Sequence, residues 1–345
     1  TPVTTKLRNQ LQRAQFPTTS VCHPSNAGYV LKLGGGAPAN IKEQAGESEQ
    51  CMPSLSKQHI RSVMGGQIAN WNQLVFDDPN TPAVDYKPLT DVAFGGPPVA
   101  NPGGTVDSFV QICRRVEGSG TQAQFNAIFM DWPCDVNKDG TIDQLVPATT
   151  SNPGSGNVRQ CLNDYDDGDA NEMSNPAKPA ADATRVRWAL GVQSLENNVG
   201  LADRYRFIKV DGYAPTLEQM HAGNYDDWAA QSIQWRTDVN TYVWGTPPLG
   251  SAAKGAEVAK IFTAVKDRWL TPSAIVALNN DYIHSFGQSG LLLEPTAVTK
   301  PDNVLVLSNP VNAYTRAPTG KPNTCQEPVR STQFLGGSKQ IIIKQ

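Results

Sequence analysis

The chain has 345 residues, 29 Lys and Arg against 32 Asp and Glu, and a formal net charge of −3. That length exceeds one average domain, so two lobes are expected. The slight acidic excess argues against nucleic acid or an anionic membrane surface as a partner, and no apolar run approaches a membrane span.

The start, Thr1-Pro2-Val3, has no basic-then-apolar leader, so the sequence reads as a mature, secreted form. Residues 4–15 predict a helix with Leu7, Leu11 and Ala14 on one side, ended by Pro17. Residues 29–33 predict a short strand, followed by the loop Gly34-Gly35-Gly36-Ala37-Pro38. Ser56 is placed to cap a helix whose Ile60, Val63 and Met64 face a core, with Trp71 packing its end. Two Pro/Gly-rich stretches, 97–104 and 245–250, bracket residues 105–244 and suggest one lobe inserted into another. The expected division is therefore 1–98 and 250–345 as one lobe and 105–244 as the second. Strands are expected at 186–194, 206–210, 304–307 and 340–344, a helix at 252–269, and loop over most of 308–338. Tyr225, Trp228 and Trp235 could line a sugar site, but their near-helical spacing reads as core.

Six cysteines (Cys22, Cys51, Cys113, Cys134, Cys161 and Cys325) lack the close paired spacing of zinc or redox motifs. They suit either up to three disulfides in an oxidising compartment or buried thiols. Neighbourhood in the chain suggests Cys22–Cys51 and Cys134–Cys161.

The most informative stretch is Cys113-Arg114-Arg115-Val116-Glu117-Gly118-Ser119-Gly120-Thr121. A strand over 109–113 runs into a glycine-rich turn, then into a helix carrying Phe125, Ile128 and Phe129. Unpaired helix N-terminal amides favour an anion, Ser119 and Thr121 add hydroxyls, and Arg115 can grip an oxyanion with two parallel bonds. The same residues also suit an ordinary strand-to-helix turn with a Ser or Thr N-cap.

Arg115-x-Glu117-Gly118-Ser119-Gly120-Thr121 resembles the Arg-x-Asp-Gly-Ser-Gly-Thr loop of periplasmic phosphate-binding proteins, the solute receptors of phosphate ABC transporters. Met64-Gly65-Gly66-Gln67-Ile68-Ala69-Asn70-Trp71-Asn72 and Val210-Asp211-Gly212-Tyr213-Ala214-Pro215-Thr216, with Gly223-Asn224-Tyr225, are similar to two further segments of that family, in the same order. The resemblance implies an α/β, two-lobe periplasmic-binding-protein-like (type II) fold with two inter-lobe crossings. It further implies a periplasmic or extracellular protein that binds phosphate through Arg115, Ser119, Gly120 and Thr121, and delivers it to a permease. Glu117, where the family has Asp, would orient Arg115. Much of the family's first-lobe start has no counterpart here. The alternative is an extracellular structural or assembly subunit on the same fold, pairing with copies of itself.

Asp135-Val136-Asn137-Lys138-Asp139-Gly140-Thr141-Ile142-Asp143 matches the first nine positions of an EF-hand-like loop. Asp135, Asn137, Asp139, Thr141 and Asp143 are candidate ligands of a structural calcium. Val146 stands where the twelfth-position carboxylate belongs, and a second acidic loop holding Asp164, Asp166, Asp167, Asp169 and Glu172 could complete the set. No acid–base pair, nucleophile elbow or metal-spaced histidine set is evident, so catalysis is not expected.

Overall fold

The computed structural model describes residues 1–29, 45–97, 108–130, 149–168, 186–195, 197, 202–231, 252–280, 283–284, 287–288, 290–295, 299–316 and 328–330. It is a mixed α/β protein whose contacts divide into two units. The first comprises residues 1–219, 224–227 and 282–289, and the second comprises 220–223, 228–281 and 290–345.

In chain order the elements begin with β1 (Pro2–Thr4), α1 (Thr5–Gln15), β2 (Ser54–Leu55), α2 (Lys57–Met64), β3 (Val75–Asp77) and β4 (Tyr86–Pro88). They continue with β5 (Gln111–Arg115), α3 (Gly120–Phe129), β6 (Thr149–Asn152), α4 (Ser155–Asp167), β7 (Ala189–Gly191), β8 (Tyr205–Phe207), β9 (Lys209–Val210) and α5 (Leu217–His221). After these come α6 (Ala252–Trp269), α7 (Pro272–Asn280), β10 (Ile283–His284), β11 (Gly287–Gln288), β12 (Tyr314–Thr315) and β13 (Val329–Arg330).

The first unit is built on a five-stranded sheet in the order β6-β5-β7-β1-β8. β5 runs parallel to β6 and β7, whereas β1 lies antiparallel between β7 and β8. Four strands therefore point one way and β1 points the other. The short β1, from the stretch expected in the first lobe, is thus a member of the sheet formed by residues of 105–244. The expected strands at 186–194 and 206–210 are present but shorter, the second split into β8 and β9.

Helix α1 follows its predicted periodicity. Leu7, Leu11 and Ala14 are buried with Ile60, Val63, Trp71, Ile112, Phe125 and Leu190 in one cluster. Ser56 caps α2 by accepting from the His59 amide at 3.0 Å, and Asp211 adds a second cap by accepting from the Lys57 amide at 3.0 Å. Trp71 is fully buried and donates from Nε1 to the Trp188 carbonyl at 3.1 Å. Tyr225 belongs to this core, as expected; Trp228 does not, being half-buried with the Arg316 guanidinium over its ring at 4.7 Å, and Trp235 lies outside the described residues. On the other side of the sheet, α4 packs Val158, Cys161 and Leu162 against Cys113, Ala189 and Phe207. Gly191 is required there, because a Cβ would sit 3.0 Å from Leu162 Cδ1 and 3.3 Å from Pro2 Cγ.

Cys22 and Cys51 form a disulfide, as expected. Cys161 does not pair with Cys134; its partner is Cys113, at a Cα–Cα distance of 6.0 Å. Proximity in the chain is the wrong guide here, because packing of α4 on β5 brings residues 48 positions apart together. Asp164, Asp166 and Asp167 do not form an acidic loop; they are the last turn of α4, with Asp164 and Asp166 buried.

Asp166 accepts from the Lys6 amide at 2.7 Å, so it caps the start of α1 from across the fold. Burial pushes its carboxyl up from 3.8 to about 6, against the opposing effect of Lys6. A raised carboxyl pKa means that the native state holds the proton more tightly than the unfolded chain. Stability from this group is complete below about pH 4 and is lost as pH rises to about 6, by something on the order of 3 kcal/mol. Asp166→Asn keeps an acceptor for Lys6. Measured against wild type in urea titrations, its relative stability is expected to climb between pH 4 and 6.5 and then level off.

In the second unit, α7, Leu293 and Val311 share a small buried cluster through Ile275. Helix α6 spans the range read from sequence. The expected strand at 304–307 is a turn instead: Val306 bridges Asn309, and Asn309 Nδ2 donates to Asp302 Oδ2 and the Lys300 carbonyl. These polar bonds close the chain on itself where an extended segment would need a neighbouring strand. Within the expected loop 308–338, β12 and β13 form a short antiparallel pair.

Candidate functional site at the carboxyl ends of β5, β6 and β7

Because β5, β6 and β7 are parallel, their carboxyl ends share one edge of the sheet. β5 lies between β6 and β7, so its two successors flank it on opposite sides. Such a switch in strand order leaves a crevice beyond the strand ends, the usual ligand position in open α/β sheets.

The β5–α3 turn is tightly made. Gly118 has φ of 81°, a left-handed conformation that suits glycine. The Val116 amide binds the Asn152 carbonyl at 3.0 Å and the Ser119 amide binds the Val116 carbonyl at 3.2 Å. Buried Gln122 accepts from the Arg115 amide at 3.1 Å and donates to Asn126 at 2.9 Å, pinning the strand end to the helix. Ser119 occupies the N-cap position of α3, yet its side chain makes no capping bond. The hydroxyl that an ordinary capped turn would use is thus not used that way, and the first amides of α3 have no carbonyl partner within the helix.

The β6–α4 junction repeats the residue pattern. Gly154-Ser155-Gly156 opens α4 one residue out of step with Gly118-Ser119-Gly120 at α3: the N-cap is Gly154, which has no side chain to cap with, and Ser155 is the first helical residue. A Cβ added to Gly118, Gly120 or Gly156 would meet nothing within 4 Å, so the backbone is open to approach there, whereas one on Gly154 would sit 3.1 Å from Asn157 Oδ1.

Arg115 links the two turns. Its Nη1 donates to Ser155 Oγ at 2.8 Å and its Nη2 to the Pro153 carbonyl at 3.1 Å. Gln193, just beyond β7, donates to the Ser155 carbonyl at 3.0 Å, so Ser155 ties together all three strand ends. Arg114 points to the other side and donates to Ser151 Oγ at 3.1 Å. Glu117 is exposed, and the guanidinium bonds of Arg115 run to Ser155 and Pro153 rather than to it.

A cavity of about 100 Å³ adjoins the first turn of α3, lined among others by Thr121, Gln124, Gln193, Ser194, Tyr225 and Asp227. Gln124 donates to Asp227 at 3.0 Å. Burial, and then the Asp227 and Asp226 charges, hold the Tyr225 hydroxyl well above its usual range. Of the expected anion residues only Thr121 lines this cavity; Arg115 is held instead at the start of α4. The expected residues thus all lie at the β5 end and the β5–α3 turn, but the Arg115 guanidinium reaches away from that turn to the β6–α4 junction. Ser155 and Gln193 were missed by sequence reasoning. The second Gly-Ser-Gly was the available signal for Ser155, whereas nothing local marks Gln193.

Asp135, Asn137, Asp139, Thr141 and Asp143 lie outside the described residues. Among the described residues no group of three or more His, Cys, Asp or Glu side chains could hold a metal ion, and no helix is long and apolar enough to cross a membrane. No protein-family model matches the chain, and a search of curated proteins finds no match.

Proposed function

We propose that the chain binds phosphate or a similar oxyanion non-covalently at the carboxyl ends of β5 and β6, without chemistry. One observation carries this reading: two Gly-Ser-Gly stretches open α3 and α4 at the adjacent ends of β5 and β6, neither helix start has a side-chain cap, and Arg115 spans from one junction to the other. Each helix N-terminus presents unpaired amides and the positive end of its dipole, and a guanidinium supplies the formal charge. Arg115 has two bonds to neutral acceptors and donors to spare, so it can turn part of its fork to an anion without giving up its anchor. Thr121 and Ser119 add hydroxyls, and Gly120 contributes its amide. In this reading the role is the one the sequence resemblance implies, a periplasmic or extracellular receptor that delivers the anion to an ABC transporter permease. The two disulfides suit such an oxidising compartment.

Equilibrium dialysis with radiolabelled phosphate tests this. Arg115→Ala is expected to weaken binding by about tenfold to a hundredfold, the loss typical of charge-assisted bonds. Arg115→Lys, which keeps the charge without the fork, should fall between. Equal affinity in all three would remove the anion from this turn.

A second reading, an assembly subunit stiffened by calcium at Asp135–Asp143, is favoured by α6, which leaves Ile261 62% and Trp269 60% exposed. Light scattering decides it: a concentration-dependent dimer or larger species that Ile261→Lys disperses would favour assembly over a monomeric receptor.

A further inference from the structure

Helix α1 buries one face, but Lys6, Asn9, Gln10 and Arg13 lie at helical spacing on another and line a separate cavity of about 250 Å³. The opposite wall is the Gly95–Gly96 turn, where both residues are left-handed at φ 104° and 80°, and Trp188 also contributes. Among the described residues that line this cavity none is acidic and two are cations, in a chain whose net charge is −3. The two middle side chains are already oriented. Asn9 accepts from the Tyr29 hydroxyl at 3.0 Å, and Gln10 donates to the Leu89 carbonyl at 2.7 Å. Their remaining amide groups can face a ligand. Lys6 is shared with Asp166, whose carbonyl it contacts and whose carboxylate lies 4.0 Å away. Arg13 has a neutral partner, donating to Ser25 Oγ at 3.3 Å.

We propose that this α1 cavity is a second anion site, distinct from the Gly-Ser-Gly turns, which takes a small multiply charged organic or condensed-phosphate anion. Lys6 and Arg13 are seven residues apart, roughly 10 Å along the helix axis, so a single small oxyanion reaches one of them and a larger polyanion reaches both. The carboxamides between them serve the hydroxyl or carbonyl groups of such a ligand. The volume falls just below the range of drug-sized pockets, which sets the ligand at the scale of a tricarboxylate or a pyrophosphate.

His23 supplies the readout. Its imidazole pKa is lowered by burial and then by the Arg13 charge, and its Nδ1 accepts from the Ser25 amide beside the Arg13 contact. An anion seated on Arg13 offsets that charge, so the His23 titration moves upward. The experiment is a pH titration of the His23 ring protons by NMR, with and without saturating citrate or inorganic pyrophosphate, together with calorimetry on wild type, Arg13→Gln and Arg115→Ala. The proposal expects an upward His23 shift with at least one probe, binding weakened about tenfold or more by Arg13→Gln, and no change in Arg115→Ala. A His23 titration unmoved by both probes overturns it. So does binding that Arg115→Ala abolishes and Arg13→Gln leaves intact, because the anion then sits at the other site.

Discussion

Glu47→Ala is expected to destabilise the first unit by about 3–5 kcal/mol, the cost of breaking a buried ion pair from one side. Glu47 is 2% exposed and lies between Arg8 and Arg206, each 1% exposed. Its Oε1 accepts from Arg206 Nε at 2.7 Å, and its Oε2 lies 3.6 Å from Arg8 Nη2. Carbonyl groups hold the two guanidiniums in place: Arg206 Nη1 donates to Asp203 and Tyr205, and Arg8 Nη2 donates to Gly46. Without the carboxylate, two cations stay buried with no counter-charge between them. Urea denaturation followed by far-UV circular dichroism measures the loss, and Glu47→Gln should recover part of it by keeping an acceptor. A Glu47→Ala midpoint within experimental error of wild type would mean that the triad contributes nothing net.

The second large effect is expected from the disulfide that joins β5 to α4. Cys113 and Cys161 are both fully buried and close a loop of 48 residues. Chain-entropy reasoning assigns such a loop about 4 kcal/mol, and an unbridged pair in a packed core adds a smaller mismatch. Cys113→Ala/Cys161→Ala should therefore lower the melting temperature by roughly 5–8 degrees, given the unfolding entropy of a chain of this length. Cys22–Cys51, with a separation of 29, closes a shorter loop and is expected to matter slightly less. The order can be checked by comparing the two double variants in one denaturant series. If the Cys22/Cys51 variant is the less stable, the core position of the second bridge carries less than its geometry implies.

These two features show what could and could not be read from the chain. Helices α1 and α2 were legible because Leu7, Leu11 and Ala14, and Ile60, Val63 and Met64, repeat at helical period, and because Ser56 stands at a cap. The β5–turn–α3 unit was legible for a similar local reason. Glu47 was not, since its partners are 39 and 159 positions away and acquire meaning only when α1 and β8 flank the same buried point. The strand β1 is three residues long and finds its register only against Leu190 and Arg206, so no local pattern announces it. The pairing of Cys161 failed for the same non-local reason.

At the candidate site, residue types were legible and direction was not. Gly118-Ser119-Gly120-Thr121 identified a turn suited to an anion, but where Arg115 points depends on the neighbouring strand. Its two acceptors, Ser155 and Pro153, come from the β6–α4 junction, which is placed beside β5 by the parallel register of Arg115 with Asn152. A side chain that could have served one turn is thereby drawn to the next.

The central claim is that an oxyanion sits on these paired helix starts. The most direct measurement is a phosphate titration of anion-stripped, ¹⁵N-labelled protein followed by amide NMR. The account predicts saturable shifts concentrated at the amides of Gly118, Gly120, Thr121 and Gly156, with loss of those shifts in Arg115→Ala. Amides at both turns that stay unmoved by saturating phosphate and by sulfate would contradict it, and would leave the two Gly-Ser-Gly turns as structural junctions of the sheet.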